Sequence, residues 1–184
     1  MEILHHSIYN SPVGPLRLAV SQQGLALLQF ANHLFPPKGR MFAAASWEPL
    51  EAATAPYVAE LEEYFSGRRR QFSFPIDLWG TPFQKRCWQA LLAIPYGEVR
   101  SYAEMARAVG CPRGFRAVGL ANHDNPVAIV VPCHRVIASD GTLGGYGGGL
   151  PLKRYLLELE GVRLSVRVAA EFQEPLFRVN TAAS

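Results

Sequence analysis

The residues best suited to chemistry lie in one short peptide, residues 132–136, whose centre is Cys133, His134 and Arg135. A cysteine reacts as its thiolate, and neighbouring cations favour that form, so Cys133 is a candidate nucleophile. The apolar run 129–131 precedes this peptide and predicts a strand that ends at the cysteine. Adjacent side chains of an extended segment point to opposite faces, so adjacency alone does not make His134 the base. A buried, inert cysteine is the alternative that this peptide leaves open.

Two helix-start signals precede the cysteine peptide and indicate the elements that position it. Thr81 with Gln84, and Ser101 with Glu104, have the spacing of capping boxes. The second of these helices is expected to end at Gly110, after which a tight turn leads into a third helix. A short helix, a tight turn and a second helix have the spacing of a helix-turn-helix, although ordinary helical hairpins share it.

The amino-terminal part predicts strands followed by a helix. Residues 1–31 contain three strand-like runs separated by turn residues, and residues 32–48 are rich in Pro and Gly and predict a loop. Residues 50–66 predict a helix that ends at Gly67, and residues 71–76 predict one more strand. One side of the helix carries four large side chains: Tyr57, Leu61, Tyr64 and Phe65. The chain is therefore expected to be α+β, with a small amino-terminal domain of antiparallel sheet plus helix and a mainly helical carboxy-terminal domain.

Composition and charge restrict the classes of function. No apolar run approaches the roughly 18 residues that span a bilayer, and the first residues lack the pattern of a signal peptide. We therefore expect a cytosolic or nuclear protein. The net charge of +3 divides into −1 over residues 1–80 and +4 over residues 81–184, so a nucleic acid would bind the second half. The three adjacent arginines at 68–70 predict a solvated connection, with phosphate contact as the alternative.

The cysteines indicate a reducing environment. The chain has three, Cys87, Cys111 and Cys133, and they form no Cys-x-x-Cys pair. This pattern favours neither a disulfide framework nor a zinc ribbon, and reduced thiols fit a reducing compartment.

Several other stretches accompany the cysteine peptide in a fixed order. They are residues 81–88, 94–102, 116–127, 144–150 and 153–161. Together with the cysteine peptide they closely resemble the O6-alkylguanine-DNA alkyltransferases, which are methylated-DNA–protein-cysteine methyltransferases. The close match covers about residues 80–161.

The resemblance implies a two-domain organisation. Residues 1–78 would form a ribonuclease-H-like α+β domain, and residues 79–163 would form the DNA-binding and alkyl-acceptor domain, with a winged-helix-like helix-turn-helix. Residues 164–184 would be a tail to which the resemblance assigns no role.

The resemblance also implies a reaction. An alkyl group, above all methyl, would pass from O6 of guanine in double-stranded DNA to the sulfur of Cys133, and O4-alkylthymine would be a further substrate. A soft thiolate suits displacement at an alkyl carbon. The thioether product has no hydrolytic exit, so each molecule would react once and inactivate itself. The resemblance implies a monomer that needs no cofactor.

Five catalytic residues are implied by matching positions. His134 would activate Cys133 through a water molecule, and Glu160 would orient His134, which is the chemical logic of a base held by a carboxylate. Tyr102 would donate a proton to the guanine as it leaves the alkyl group. Asn125 would brace the turn that holds Cys133 and His134, and an asparagine before a proline is also ordinary turn chemistry.

Two further sets of residues follow from the resemblance. Because the target atom lies inside the base stack, the nucleotide must be extruded. Arg116 would enter the gap that the extruded nucleotide leaves in the base stack. The expected DNA contacts are Arg116, Ala117, Gly119, Ala121, Tyr102 and Arg135. The expected lining of the base pocket is Pro132, Val136, Tyr146, Gly147 and Gly148. Some relatives carry serine in place of Gly147, but a glycine keeps the backbone amide that contacts the base.

Some relatives bind a structural zinc through amino-terminal cysteines and histidines. Here that region has His5, His6 and His33 but no cysteine, so no metal site is expected.

Three other functions remain as alternatives. A lesion sensor of the alkyltransferase-like kind would carry tryptophan in place of Cys133. A Cys-His hydrolase would release product over many turnovers. A transcriptional regulator of the related adaptive type would carry an additional cysteine-rich amino-terminal domain.

Overall fold

The computed structural model describes residues 2–37 and 40–163, so the predicted tail 164–184 lies outside the described residues. Four strands form the amino-terminal sheet: β1 (Ile3–Ser11), β2 (Gly14–Val20), β3 (Leu25–Phe30) and β4 (Ser46–Pro49). The first three are antiparallel neighbours, which confirms the three predicted strands. Strand β4 pairs in parallel with β1, giving the order β3-β2-β1-β4.

The prediction of a loop over residues 32–48 is wrong in part. A short helix α1 (Arg40–Ala43) and the beginning of β4 lie in this stretch. Strand β4 has only four residues and pairs with a single neighbour at the edge of the sheet. Its sequence, Ser-Trp-Glu-Pro, has a single large apolar residue and ends in proline, so it does not show the alternation that predicts a strand.

The predicted helix of residues 50–66 is confirmed as α2 (Glu51–Phe65), which packs on β1. Its buried residues include Leu61, Tyr64 and Phe65, whereas Tyr57 is half-buried. Gly67 follows with a left-handed φ of +73°, a conformation that glycine adopts without steric cost and that ends the helix.

The predicted strand of residues 71–76 is wrong. This segment bends at Gln71 and Phe74, and within it only Ile76 forms a bridge, to Leu25 of β3. Its alternate aromatic side chains face α2 instead of a sheet, because the Phe72 ring lies 5.4 Å from that of Tyr64 and Phe74 lies 4.7 Å from Tyr57. A segment laid along a helix shows the same alternation as a strand.

Four helices dominate the carboxy-terminal part: α3 (Pro82–Leu92), α4 (Tyr102–Ala108), α5 (Phe115–His123) and α6 (Leu150–Leu159). Both predicted capping boxes are present, at Thr81 with Gln84 and at Ser101 with Glu104. Helices α4 and α5 are joined by a turn in which Gly110 has a φ of +74°. Two short parallel strands, β5 (Arg100–Ser101) and β6 (Val136–Ile137), complete this part. The predicted α+β class is confirmed.

One cluster of buried side chains extends through both parts of the chain. At its centre, the backbone of Leu28 in β3 donates to the carbonyl of Pro126 and accepts from the amide of Ala128, both at 2.8 Å. The turn that leads to Cys133 is therefore attached to the edge strand of the amino-terminal sheet. Within the described ranges, none of the helices has the length and apolar character needed to cross a membrane.

Candidate active site

Cys133 is the first residue of a 3-10 turn (Cys133–Arg135), and the strand predicted to end there is wrong. The preceding apolar residues form consecutive turns, closed by hydrogen bonds from Val131 N to Val127 O at 2.9 Å and from Cys133 N to Val131 O at 2.8 Å. Ile129 has a φ of +72°, which is strained for a β-branched residue and is maintained by the surrounding core. A fully buried apolar run does not distinguish a strand from such a turn.

Asn125 braces this turn and also contacts the sulfur of Cys133. Its Nδ2 donates to the carbonyl of Val131 at 2.8 Å and to Sγ of Cys133 at 3.2 Å. Its Oδ1 accepts from the amide of Val127 at 3.0 Å. The side-chain amide therefore fixes the conformation of the turn and supplies a hydrogen bond that favours a thiolate.

His134 and Glu160 form a buried pair beside the cysteine. Nε2 of His134 lies 2.8 Å from Oε1 of Glu160, and neither side chain is exposed. A carboxylate only accepts hydrogen bonds, so Nε2 carries the hydrogen and Nδ1 carries the lone pair. That Nδ1 atom is buried and has no hydrogen-bond partner among the described residues. The imidazole is thus held in the tautomer that leaves one nitrogen free to accept a proton.

Glu160 receives further donors from Arg135 and Tyr64. Nε of Arg135 donates to Oε2 at 2.8 Å, Nη2 donates to Oε1 at 3.0 Å, and the hydroxyl of Tyr64 donates to Oε1 at 2.7 Å. Nη1 of Arg135 donates to the carbonyl of Ile94. Arg135 is therefore buried in this network, although the sequence analysis assigned it to the DNA contacts.

The environment shifts the pKa of three titratable side chains in this cluster: Cys133, His134 and Glu160. Burial alone would raise the pKa of Glu160, but the hydrogen bonds and charges of His134 and Arg135 outweigh it and lower the value to about 2. Burial lowers the pKa of His134, against the opposing effect of Glu160, and so favours the neutral imidazole. Burial raises the pKa of the Cys133 thiol, whereas the Asn125 amide and the Lys153 ammonium oppose that effect.

A cavity of about 880 Å³ opens beside Cys133, whose side chain is 7% exposed. Tyr102 lines it and donates its hydroxyl to the carbonyl of Gly145 at 3.3 Å. Two effects raise the pKa of Tyr102: burial, which is the larger, and the charge of the nearby Cys133. The hydroxyl of Tyr102 therefore keeps its proton at neutral pH. A group in that state can serve as a proton donor.

A second cavity of about 810 Å³ also reaches Cys133. Tyr146 and Gly147 border both cavities, and Gly148 borders the second. A Cβ at Gly148 would lie 2.6 Å from side-chain atoms of Phe30 and Leu152, so close packing explains that glycine. Two residues expected to line the base pocket do not border either cavity and are buried instead: Pro132 and Val136.

Helix α5 exposes part of the expected DNA-binding set. Arg116 and Ala117 are exposed, and a Cβ at Gly119 would lie 3.9 Å from Cε1 of Tyr102. Ala121 is only 2% exposed, and its carbonyl accepts from the Trp88 indole, so it belongs to the core and not to a DNA-contacting surface. The same helix exposes two apolar residues that are not among the expected DNA contacts: Phe115 at 50% and Leu120 at 63%.

Lys153 is a buried charge that the sequence analysis did not single out. Its Nζ donates to the carbonyls of Val136, Leu143 and Gly145, so it ties β6 and the loop that follows it to α6. Burial lowers its pKa to about 8, and Cys133 opposes that shift. The spacing of Lys153 and Glu160, seven residues apart, places both on one helical face and was a readable signal.

Asn122 is a second residue that the sequence analysis missed. It borders both cavities, and neither atom of its side-chain amide has a hydrogen-bond partner among the described residues. A single asparagine in a helix gives no sequence signal for such a position. Throughout residues 2–37 and 40–163, which the structure describes, no three His, Cys, Asp or Glu side chains are grouped as metal ligands would be.

Comparison with known proteins gives consistent matches along the chain. The model of the 6-O-methylguanine DNA methyltransferase ribonuclease-like domain matches residues 4–78, and the model of the DNA binding domain of the same family matches residues 82–162. A methylated-DNA–protein-cysteine methyltransferase of Mycobacterium leprae is 50% identical over 158 residues, covering 86% of this chain and 93% of the relative. One from Methanosarcina barkeri is 46% identical over 157 residues, covering 85% and 97%.

A solved structure has the same fold. The crystal structure of Mycobacterium tuberculosis OGT in complex with DNA superposes with a TM-score of 0.76 at 47% identity, covering 85% of this chain and 92% of that one.

Proposed function

The chain belongs to the 6-O-methylguanine DNA methyltransferase family, and on that basis we propose that Cys133 is the residue that accepts the alkyl group. The activity is DNA repair by direct transfer of an alkyl group to a protein cysteine. The observation that carries the assignment is the position of Cys133: its sulfur accepts a hydrogen bond from Asn125 and its side chain borders a cavity of about 880 Å³.

The proposed reaction begins with loss of the thiol proton. His134 receives it at Nδ1, through a water molecule as the family resemblance implies, while Nε2–H remains bonded to Glu160. The Cys133 thiolate then attacks the alkyl carbon, so an S–C bond forms as the C–O6 bond of the base breaks. Tyr102 donates its hydroxyl proton to the guanine, which stays in the DNA strand, and regains a proton from protonated His134 by way of solvent, so the proton lost by the thiol ends on the restored base.

The proposed DNA-binding surface is the exposed face of α5. It includes Arg116, Ala117 and Gly119 from the sequence analysis, together with Phe115 and Leu120. A duplex substrate requires the alkylated nucleotide to leave the stack, and Arg116 is proposed to occupy the gap. The solved Mycobacterium tuberculosis relative is in complex with DNA, which supports a DNA partner here.

We also propose a domain division, an oligomeric state, substrates and a cellular location for this protein. Residues 1–78 are proposed as the ribonuclease-H-like domain, and residues 79–163 as the DNA-binding and acceptor domain. The protein is proposed to act as a monomer on double-stranded DNA with O6-alkylguanine, and O4-alkylthymine offers the same alkyl–oxygen bond as a further substrate. It is proposed to act where DNA and reduced thiols coexist, in the cytoplasm or the nucleus.

The decisive experiment counts the methyl groups transferred per protein molecule. Excess duplex carrying radiolabelled O6-methylguanine is mixed with protein, and protein-bound and free label are followed with time. We expect protein-bound label to reach one methyl per molecule and then stop, with none bound by Cys133→Ser. Continuing release of free label would support a Cys-His hydrolase, and tight binding without transfer would support a lesion sensor. Either result would overturn the assignment.

A further inference from the structure

Tyr64 links the amino-terminal part of the chain to the catalytic carboxylate. It lies in α2, 96 residues before Glu160, yet its hydroxyl is 2.7 Å from Oε1 of that side chain. The Tyr64 ring is buried and contacts the rings of Phe65, Phe72 and Tyr96, with centroids 5.5, 5.4 and 6.2 Å away. These contacts fix the direction in which the hydroxyl points.

Tyr64 can act only as a donor in this contact. Burial first, and then the Glu160 charge, raise the pKa of Tyr64 well above its usual value, so the phenol keeps its proton at neutral pH. An ionised carboxylate has no hydrogen to give, so the single hydroxyl hydrogen points to Glu160.

Three donors share one oxygen of Glu160. Oε1 accepts from Tyr64 at 2.7 Å, from Nε2 of His134 at 2.8 Å and from Nη2 of Arg135 at 3.0 Å. A carboxylate oxygen that shares its charge with other donors stabilises a positive imidazolium less strongly. Tyr64 therefore favours neutral His134, which is the form able to accept the thiol proton.

We propose that Tyr64 is a positioning residue for alkyl transfer: its hydroxyl holds the Glu160 carboxylate against His134 and shares its negative charge. The inference rests on the proposed roles of Cys133, His134 and Glu160. Two other groups also act on the charge of His134. They are the Arg135 guanidinium and the Lys153 ammonium, both of which disfavour the imidazolium.

The test compares Tyr64→Phe with Tyr96→Phe. Tyr96 is a matched control because its hydroxyl donates to the backbone carbonyl of Leu159, at 3.0 Å, next to the same carboxylate. The single-turnover rate constant for methyl transfer from an O6-methylguanine duplex is measured between about pH 5.5 and 9. The fall of this rate constant on the acidic limb of the pH profile reports the pKa of the base. In parallel, the ¹⁵N resonances of the His134 ring are titrated.

Removing the Tyr64 hydroxyl leaves more negative charge on Oε1, so the pKa of His134 rises. We expect Tyr64→Phe to move the acidic limb and the ¹⁵N midpoint upward by about 0.5–1 pH unit, and to slow transfer roughly 3- to 10-fold on that limb. The alkaline plateau should change less than about twofold, and Tyr96→Phe should keep the wild-type midpoint.

An unchanged midpoint in Tyr64→Phe, with any loss of rate uniform across pH, would mean that Tyr64 only stabilises the fold. The ¹⁵N titration does not depend on transfer, so it tests the inference even if the rate is too low to measure. Failure of the proposed function is distinguishable, because wild-type protein would then transfer no methyl or Cys133→Ser would still accept one.

Discussion

Arg135 and Glu160 form a bidentate ion pair below the turn that carries Cys133, with Nε to Oε2 at 2.8 Å and Nη2 to Oε1 at 3.0 Å. Both side chains are buried. The pair ties the 3-10 turn to the residue that follows α6, and the same carboxylate holds His134. A buried charge that has lost its partner destabilises the fold, so each of the two residues requires the other. The geometry around Cys133 depends in turn on this ion pair.

Removing one member of this pair should therefore lower the free energy of unfolding of the protein. Arg135→Leu leaves Glu160 buried and short of donors, and we expect it to lower the free energy of unfolding by about 3–5 kcal/mol in urea titrations. Arg100→Ala is the control, since its ion pair with Glu98 is exposed and should contribute under about 1 kcal/mol. A fully stable Arg135→Leu with weakened DNA binding would instead favour the contact expected from the sequence.

Acid should destabilise the protein through Glu160 and His134. Glu160 has a pKa of about 2 when folded, whereas an unfolded glutamate titrates near pH 4.3, so the unfolded chain binds more protons between these values. Its contribution to stability, on the order of 2–3 kcal/mol, is present above about pH 5 and is lost toward pH 2. His134, whose pKa is lowered by burial, adds a loss that begins below about pH 6.5.

The check is urea unfolding from about pH 7 down to 3. Glu160→Gln should be less stable than wild type at neutral pH and should show a flatter dependence on pH. Parallel curves for the two proteins would place the acid sensitivity elsewhere.

Asn125 should raise the reactivity of the Cys133 thiol without any DNA. In a Cys111→Ser background, the rate of Cys133 alkylation by iodoacetamide can be followed by peptide mass. Asn125→Ala removes the donor 3.2 Å from the sulfur, so the thiol pKa should rise and the rate at neutral pH should fall roughly 3- to 10-fold. Asn122→Ala is the matched control, because Asn122 borders the cavity of about 810 Å³ together with Asn125 and Cys133 but donates no hydrogen bond to the sulfur. Equal rates for the two variants would show that the bond does not activate the thiol.

Arg116 should act on duplex substrates and not on stability. It is exposed, so Arg116→Ala should change the free energy of unfolding by less than about 0.5 kcal/mol. Transfer from duplex O6-methylguanine should slow by about tenfold, whereas transfer from a single strand, which needs no extrusion, should change little. Arg68→Ala removes the same charge from an exposed position outside α5 and should leave both rates unchanged. A loss that is equal on duplex and single strand would indicate a simple phosphate contact.

Local signals in the sequence predicted the local structure well. Both capping boxes, the helix that became α2 and the first three strands follow from side chains that interact with neighbours close in sequence. Residues 71–76 and the run before Cys133 were predicted wrongly because periodicity reports which side is buried and not what covers it. Here α2 covers one segment and the core surrounds the other.

The family resemblance was enough to propose Cys133 as the acceptor and His134, Glu160, Tyr102 and Asn125 as catalytic residues. It did not predict which of the expected site residues are buried. Arg135 and Ala121 lie inside the protein because Glu160 and Trp88 meet them from distant parts of the chain. The contact of Tyr64 with Glu160 likewise depends on how α2 packs against the rest of the chain, which no local pattern in the sequence encodes.

The central claim is that Cys133 accepts one alkyl group and then reacts no further. The most direct test is the intact mass of the protein after incubation with excess O6-methylguanine duplex, followed by peptide mapping, with Cys133→Ser alongside. The account predicts the added mass of one methyl group on the peptide containing Cys133, no addition to the variant, and no further change on longer incubation. An unchanged mass, or a methyl group on Cys87 or Cys111, would contradict it.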